Sequence, residues 1–236
     1  MEQKACNTGL QRNPQKQDKL KNCRLQFITH CNQQYSYADS ARAALEGGCR
    51  WVQLRMKGAD SGTLIATALQ VQSLCAGYNA TFIINDNVSL AKQIGADGVH
   101  LGKEDMPVAQ ARKILGDSFI IGATVNSIPD IESHLGDDTP DYFGCGPFRF
   151  TTTKENLAPI VGMEGYRKIL HYMKENNISI PIAAIGGIEK DDITELMECG
   201  IDGIALSGCI LGASNPAAMM SEIADIIHKN VYKPLK

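Results

Sequence analysis

The sequence predicts one α/β domain: a (β/α)8 TIM barrel with an eight-stranded parallel core. Short apolar runs alternate with amphipathic helical stretches, and a weak internal repeat recurs at about the spacing of two βα units. A length of 236 residues is also common for a single barrel domain. A doubly wound open sheet is the alternative that this alternation leaves open.

Eight apolar runs are the predicted strands. They span residues 24–30, 51–55, 81–85, 98–102, 119–125, 142–146, 182–186 and 203–207. Apolar residues recur at helical spacing between these runs, most clearly over 61–77 and 162–176. Consecutive parallel strands need right-handed crossovers, and eight such units close most simply into a barrel.

The internal repeat supports this count of strands. The segments GCRWVQLR, GADGVHLG, TPDYFGCG and GIDGIALS begin at residues 48, 95, 139 and 200, and each reads as a tight turn before an apolar strand. The third segment lacks the leading glycine, so the repeat is suggestive and does not prove the fold by itself.

Composition narrows the class of function. A net charge of −3 and a pI near 6.0 provide no broad basic surface for nucleic acid. Eight dispersed cysteines without a CxxC pair suggest reduced thiols and a cytoplasmic protein. No apolar run is long enough to span a membrane. Residues 1–23 are polar and are predicted to form a flexible tail before a catalytic domain at 24–232. A homo-oligomer is possible.

Two carboxylates follow neighbouring predicted strands. Asp86 lies in FIINDN at the end of the third strand, and Asp105 follows the fourth. In a parallel barrel these strand ends are adjacent, so the two carboxylates would repel each other unless a hard cation such as Mg²⁺ lay between them. Turn and helix-cap roles remain open, because Pro107 and a helical pattern follow Asp105.

Cations and small residues at other strand ends indicate an anion site. Arg55 and Lys57 lie two positions apart after the second strand, so on an extended chain their side chains point to the same side. Two cations on one side favour binding of a phosphate. A polar loop after the sixth strand contains Thr151, Thr152, Thr153 and Lys154, and glycines follow strands seven and eight at 186–187 and 208. His100 is ambiguous between a core histidine and a base. No HExxH or GxSxG spacing indicates a zinc site or a hydrolase.

Five ordered motifs together resemble the thiamine phosphate synthase family. They are VQLRMK, FIINDN, GADGVHLGKED, GCGPFRFTTTK and AAIGGI, and the resemblance runs from about residue 24 to 230. It implies a transferase of thiamine biosynthesis. Such an enzyme joins 4-amino-2-methyl-5-hydroxymethylpyrimidine pyrophosphate to 4-methyl-5-(2-hydroxyethyl)thiazole phosphate, giving thiamine phosphate and pyrophosphate, with one Mg²⁺ per subunit.

The resemblance also implies roles for individual residues. Those expected to meet the pyrimidine pyrophosphate are Gln53, Leu54, Arg55, Met56, Lys57, Asn85, Thr124 and Lys154. Those expected at the thiazole phosphate are Thr151, Thr152, Thr153, Gly187, Ser207 and Gly208. Asp86 and Asp105 match the magnesium ligands, and the catalytic cations are expected to be Arg55, Lys57 and Lys154.

Two positions depart from the family pattern. Thr124 stands where the family often has serine, and Ser207–Gly208 aligns with an aliphatic–serine pair, so one hydroxyl is displaced by a residue. Three other functions remain open. A thiazole tautomerase would need a histidine base, a Schiff-base aldolase would use Lys154 as its nucleophile, and a non-catalytic sensor would bind phosphorylated ligands without releasing pyrophosphate.

Overall fold

A closed barrel of eight parallel strands, paired in sequence order, forms the centre of the molecule. The computed structural model describes residues 14–136, 139–150 and 159–231. The strands are β1 Leu25–Ile28, β2 Trp51–Leu54, β3 Thr81–Asn85, β4 Gly98–Leu101, β5 Ile120–Val125, β6 Tyr142–Cys145, β7 Ile182–Ile185 and β8 Gly203–Leu206. The predicted barrel is therefore confirmed, and the open sheet is wrong.

Helices follow the strands around the outside of the barrel. In the described residues they are α1 Pro14–Leu20, α2 Tyr37–Glu46, α3 Ser61–Gly77, α4 Val88–Ile94, α5 Val108–Leu115, α6 Ile128–Ser133, α7 Gly162–Glu175, α8 Ile193–Cys199, α9 Gly208–Leu211 and α10 Pro216–Val231. Two short 3-10 helices cover Lys21–Arg24 and Lys190–Asp192. The two predicted amphipathic stretches are α3 and α7.

The barrel has an apolar floor and a large core outside the strands. Inside, the rings of Trp51 and Tyr142 meet edge to face with centroids 5.2 Å apart, and both side chains are fully buried with Ile83 and Ile120. Outside, apolar residues on the other face of the strands pack against the helices in one continuous cluster. Alternation along each strand therefore assigns one set of side chains to the interior and one to the helical layer.

Three aspartates at the same position of the internal repeat make equivalent hydrogen bonds in the structure. Asp97, Asp141 and Asp202 occupy the third position of their repeat segments, just before β4, β6 and β8. Their carboxylates accept backbone N–H groups near the start of the preceding strand, from Phe82 at 2.7 Å, Ile121 at 2.8 Å and Ile182 at 2.9 Å. Arg50 stands at this position in the first segment.

Residues 14–23 correct the prediction of a flexible tail. Helix α1 and the following 3-10 helix lie across the N-terminal end of the barrel, where Lys16 is 8% exposed and pairs with Asp141 at 2.6 Å. Lys19 pairs with Asp97, and Cys23 packs into the apolar floor. Lys16 and Lys19 therefore bind two aspartates of the repeat, while residues 1–13 lie outside the described part of the chain.

Among the described residues, no helix combines the length and the apolar character needed to cross a membrane.

The seven cysteines in the described residues are free thiols, and Cys49 and Cys145 are completely buried. Burial raises the pKa of both thiols, to about 11 for Cys49 and about 12 for Cys145, so neither is an activated nucleophile.

Candidate active site

Polar side chains collect where the strands end, at the rim opposite α1. Parallel strands deliver their C-terminal residues to one face, and side chains from β2, β3, β4 and β5 meet there. This rim is the candidate active site. Its parts are a carboxylate pair, an adjoining cavity and a group of cations.

The three polar residues after β3 have three different partners. Asn85 accepts a hydrogen bond of 2.8 Å from the side-chain amide of Gln53, which is buried. Asn87 caps α4, because its side chain accepts the backbone N–H of Leu90 at 2.9 Å. Asp86 forms an ion pair with Lys57 and has a left-handed backbone with φ of 64°. Turn chemistry thus accounts for Asn87, while Asp86 is held in a strained conformation that aims a carboxylate at the rim.

Asp86 and Asp105 are close enough to share a proton. Burial and the neighbouring Asp105 carboxyl raise the pKa of Asp86, Lys57 partly offsets both effects, and the resulting pKa is about 6. Burial also disfavours the charge on Asp105, but the hydrogen bonds from Asp86 and from the Gly102 N–H outweigh it and lower its pKa. In the metal-free protein Asp86 therefore keeps its proton more readily than Asp105, as expected for two adjoining carboxylates.

The carboxylate pair fits a hard divalent cation better than a transition metal. The described residues contain no group of three or more His, Cys, Asp or Glu side chains able to hold a metal ion. Mg²⁺ is commonly bound through one or two carboxylates, with waters and phosphate oxygens as its other ligands. Asp105 does not cap α5, whose N-cap is Pro107 without a side-chain hydrogen bond. Its carboxylate is instead oriented toward Asp86 by the Gly102 N–H, at 2.6 Å.

A cavity of about 420 Å³ opens beside this pair at the same rim. Its volume suits one or two small heterocycles. The polar and charged side chains in its wall are Arg55, His100, Thr124, Asn126, Arg149, Glu189 and Ser207. His100 links the cavity to the carboxylates, since its carbonyl accepts the backbone N–H of Asp86 at 2.8 Å.

The far wall of the cavity suits a phosphate. Gly187 lines it with φ of 68°, and a Cβ there would lie 2.5 Å from Cγ of Arg149 and 2.9 Å from the carbonyl oxygen of Phe150. Only glycine meets both constraints without strain. Ser207, which follows the neighbouring strand β8, lines the same cavity, and its buried hydroxyl has no hydrogen-bond partner among the described residues. At Gly208, the next residue, no atom lies within 4 Å of the position that a Cβ would occupy. A buried hydroxyl without a partner indicates that a ligand supplies one.

A chain of hydrogen bonds crosses the floor of the cavity. Nε2 of His100 lies 3.0 Å from Oγ1 of Thr124, and Nδ1 lies 2.9 Å from the hydroxyl of Tyr142. Both ring nitrogens therefore have partners. Sequence reasoning treated His100 as ambiguous and gave no role to Tyr142, because only the register of β4, β5 and β6 brings these residues together.

Some predicted site residues lie elsewhere. The Leu54 side chain is buried in the core outside the strands, and Met56 packs against that core, so neither lines the cavity in the described residues. Their side chains point away because they alternate with Gln53, Arg55 and Lys57. Thr151, Thr152, Thr153 and Lys154 lie outside the described residues.

Arg149 and Asn126 are cavity residues that the sequence analysis did not assign. Arg149 pairs with Asp192 at 2.6 Å, and its guanidinium carbon lies 4.8 Å from the centroid of the Phe148 ring. Asn126 donates its side-chain amide to the carbonyl of Gly146. The signal for Arg149 was a basic residue in GPFRF, directly after the sixth strand.

Comparisons with known proteins agree on one family. The family model described as thiamine monophosphate synthase matches residues 25–210. A thiamine-phosphate synthase of Phocaeicola vulgatus is 57% identical over 206 residues, which cover 87% of this chain and 99% of the relative. One of Bacteroides thetaiotaomicron is 53% identical over 202 residues, 86% of this chain and 96% of the relative. The solved thiamine phosphate pyrophosphorylase of Pyrococcus furiosus superposes with a TM-score of 0.77 at 34% identity, covering 90% of this chain and 99% of that one.

Proposed function

This chain belongs to the thiamine monophosphate synthase family, and from that premise we propose that it is a thiamine phosphate synthase. It joins 4-amino-2-methyl-5-hydroxymethylpyrimidine pyrophosphate to 4-methyl-5-(2-hydroxyethyl)thiazole phosphate. The products are thiamine phosphate and pyrophosphate. One observation carries the proposal: a cation-lined cavity and a carboxylate pair adjoin at one rim of the barrel.

The reaction moves one electron pair out of the pyrimidine substrate and another into it. The bond between the pyrimidine methylene carbon and the diphosphate oxygen breaks, and the diphosphate leaves with the electron pair. The aminopyrimidine bears the resulting positive charge, and the thiazole nitrogen forms the new C–N bond with its lone pair. Charge accumulates on the departing diphosphate, so the protein's task is to stabilise that charge and to align the two rings.

Arg55 and Lys57 are the cations that we assign to the diphosphate. Arg55 lines the cavity, and its backbone N–H is fixed by the hydroxyl of Thr29 at 3.1 Å. Lys57 has an exposed side chain and pairs with Asp86, so its ammonium can turn toward a phosphate oxygen at little cost. Lys154, which the family resemblance also assigns to this substrate, lies outside the described residues.

Asp86 and Asp105 are the residues that would hold Mg²⁺. When bound, the cation supplies Lewis-acid stabilisation of negative charge on diphosphate oxygens. Asp86 must lose its proton for this role, and Lys57 favours that loss, because its ammonium lowers the pKa that burial raises. Asp105 is already favoured as the anion by the Gly102 N–H.

The two rings would occupy the two ends of the cavity. Thr124 lines the cavity, while Gln53 and Asn85 hydrogen-bond to each other directly beside Asp86 without lining it, and this proximity to the carboxylate pair supports their assignment to the pyrimidine. Gly187, Ser207 and Gly208 are on the side of the unpartnered hydroxyl, which supports their assignment to the thiazole phosphate. Leu54 and Met56 would contribute through their backbone alone.

The alternatives of the sequence analysis have less support. A thiazole tautomerase needs a histidine base, whereas both ring nitrogens of His100 are engaged by Tyr142 and Thr124. A non-catalytic sensor would not need the carboxylate pair. An aldolase would depend on Lys154 as a nucleophile, and trapping an adduct with borohydride would detect it.

We further propose that the enzyme works in the cytoplasm on small phosphorylated heterocycles. The free thiols of the seven described cysteines suit a reducing compartment, and a net charge of −3 disfavours nucleic acid as a partner.

The experiment that tests the proposal is product identification with each component omitted in turn. The full-length protein is incubated with both phosphorylated heterocycles and Mg²⁺, and thiamine phosphate and pyrophosphate are quantified. We expect both products in equal amounts, and neither when one heterocycle is left out. Isomerisation of the thiazole alone would establish a tautomerase, and binding without pyrophosphate release would establish a sensor.

A further inference from the structure

His100 lies inside the barrel in a space shaped around its ring. A Cβ on Gly144 would lie 2.8 Å from Cε1 of His100, and one on Gly122 would lie 2.6 Å from its Nδ1. The side chain is 8% exposed, and that exposed part faces the cavity. Two neighbouring strands thus lack side chains where the imidazole sits, so its ring plane and both hydrogen bonds are fixed by packing.

Tyr142 determines which ring nitrogen carries the hydrogen. Its side chain is completely buried, and burial raises the pKa of the phenol well above its usual value, so the hydroxyl keeps its hydrogen. Among the described residues, Nδ1 of His100 is its only hydrogen-bond partner, at 2.9 Å. A buried O–H needs an acceptor, and Nδ1 can accept only when the ring hydrogen is on Nε2.

The tautomer then determines the direction of the Thr124 hydroxyl. With its hydrogen on Nε2, His100 donates to Oγ1 of Thr124 across 3.0 Å. The Thr124 hydroxyl therefore accepts this hydrogen bond and does not donate its own hydrogen to the imidazole. Among the described residues it has no other hydrogen-bond partner. Thr124 lines the cavity, so that hydrogen is available to an acceptor on whatever molecule binds there.

We propose that His100 is a positioning residue that Tyr142 holds in the Nε2–H form, so that Thr124 presents a hydrogen-bond donor to an acceptor atom of the bound substrate. This inference rests on the proposed function for the identity of that substrate. It gives His100 a role that involves neither proton abstraction nor metal binding. It also explains how a threonine at position 124 keeps its hydroxyl in one orientation.

The first test is a double-mutant cycle on pyrophosphate release by the full-length enzyme. Tyr142→Phe removes only the phenolic oxygen and should lower kcat about 10-fold, with a smaller change in KM. Thr124→Val should lower kcat at least as much, and adding Tyr142→Phe to it should have no further effect, because both act through one hydroxyl. His100→Gln, which keeps an amide N–H near the position of Nε2, should retain more activity than His100→Leu.

The matched control is Tyr166→Phe. The Tyr166 hydroxyl is also buried, and it donates to the carbonyl of Cys145 at 2.7 Å without lining the cavity. This variant should lose stability to an extent similar to Tyr142→Phe, yet keep its kcat. Equal kcat values for the two phenylalanine variants would overturn the proposal, as would a full effect of Tyr142→Phe in the Thr124→Val background.

The second test does not depend on activity. Long-range ¹H–¹⁵N NMR of the full-length protein with labelled histidine reports which nitrogen of His100 carries hydrogen. We expect Nε2–H in the wild type and a mixture of tautomers in Tyr142→Phe, whereas hydrogen on Nδ1 in the wild type would overturn the proposal. If the wild type releases no pyrophosphate, the proposed function fails, while the NMR result still decides the tautomer.

Discussion

The carboxyl groups of Asp86 and Asp105 lie side by side at the rim of the barrel, where each shifts the pKa of the other. Nineteen positions of sequence separate them, and strands β3 and β4 bring them together. Burial of Asp86 makes two adjacent negative charges costly, so the metal-free pair retains a proton up to about pH 6. A divalent cation would replace that proton, which links the metal, the pH and the chemistry of this site.

Removing either carboxylate should abolish Mg²⁺-dependent turnover. We expect Asp86→Asn and Asp105→Asn each to lower the rate of pyrophosphate release by at least about 100-fold, because the cation loses half of its protein ligands. Asparagine is preferred to alanine at position 86 because it tolerates the left-handed backbone there. Asp18→Asn is the control, since Asp18 forms an exposed pair with Lys21 far from the rim. Unchanged rates in both rim variants would remove the metal assignment.

The metal-free protein should lose stability as pH rises through the pKa of Asp86. That pKa is raised to about 6, against about 3.9 for an unfolded aspartate, so the native state holds a proton that the unfolded state has released. The unfolding free energy of the wild type relative to Asp86→Asn should therefore fall by about 1–2 kcal/mol from pH 4 to pH 7. Urea unfolding in EDTA measures this difference. Mg²⁺ should restore the loss at pH 7, and a difference that does not vary with pH would contradict the assignment.

Gly187→Ala should impair the thiazole phosphate end of the cavity. The new Cβ would lie 2.5 Å from Cγ of Arg149, so we expect KM for the thiazole phosphate to rise about 10-fold. Gly95→Ala is the matched control, because its φ of 66° gives the same backbone strain but no atom lies within 4 Å of the new Cβ. Both variants should lose stability, and only the first should lose affinity. Equal KM values in the two variants would remove Gly187 from the substrate site.

Ser207→Ala should weaken substrate binding without weakening the fold. The hydroxyl is buried and makes no hydrogen bond with the described residues, so its removal should change the unfolding free energy by less than about 0.5 kcal/mol. KM for the thiazole phosphate should rise about 5- to 10-fold if the hydroxyl binds that ligand. Ser40→Ala is the comparison, because its buried hydroxyl donates to the Tyr37 carbonyl at 2.8 Å and should affect stability alone. A normal KM for Ser207→Ala would contradict the assignment.

Lys16→Met should destabilise the barrel although it lies far from the rim. The ammonium is buried, pairs with Asp141 and donates to the Asp117 carbonyl at 3.2 Å. Asp141 would retain Arg112, so we expect a loss of about 1–3 kcal/mol in urea unfolding. Lys21→Met removes an exposed pair and should cost less than about 1 kcal/mol. Equal losses of unfolding free energy in Lys16→Met and Lys21→Met would show that residues 14–23 do not stabilise the barrel.

The sequence predicted the barrel because buried parallel strands are continuous apolar runs, as FII at 82–84 and IAAI at 182–185 are. It also predicted which strand ends carry Asp86 and Asp105, because that follows from strand order alone. The pairing of Lys16 with Asp141 was missed, since it joins residues 125 positions apart and a polar, lysine-rich segment resembles a solvated tail. The His100–Tyr142 contact depends on register across three strands, which no local pattern records.

The most direct test of the account is the Mg²⁺ dependence of pyrophosphate release by the wild-type protein. With both heterocycles saturating, we predict no release in EDTA and a rate that rises with Mg²⁺ to saturation at one ion per subunit. Release at the full rate in EDTA would contradict the claim that a divalent cation on the paired carboxylates takes up the charge of the departing diphosphate.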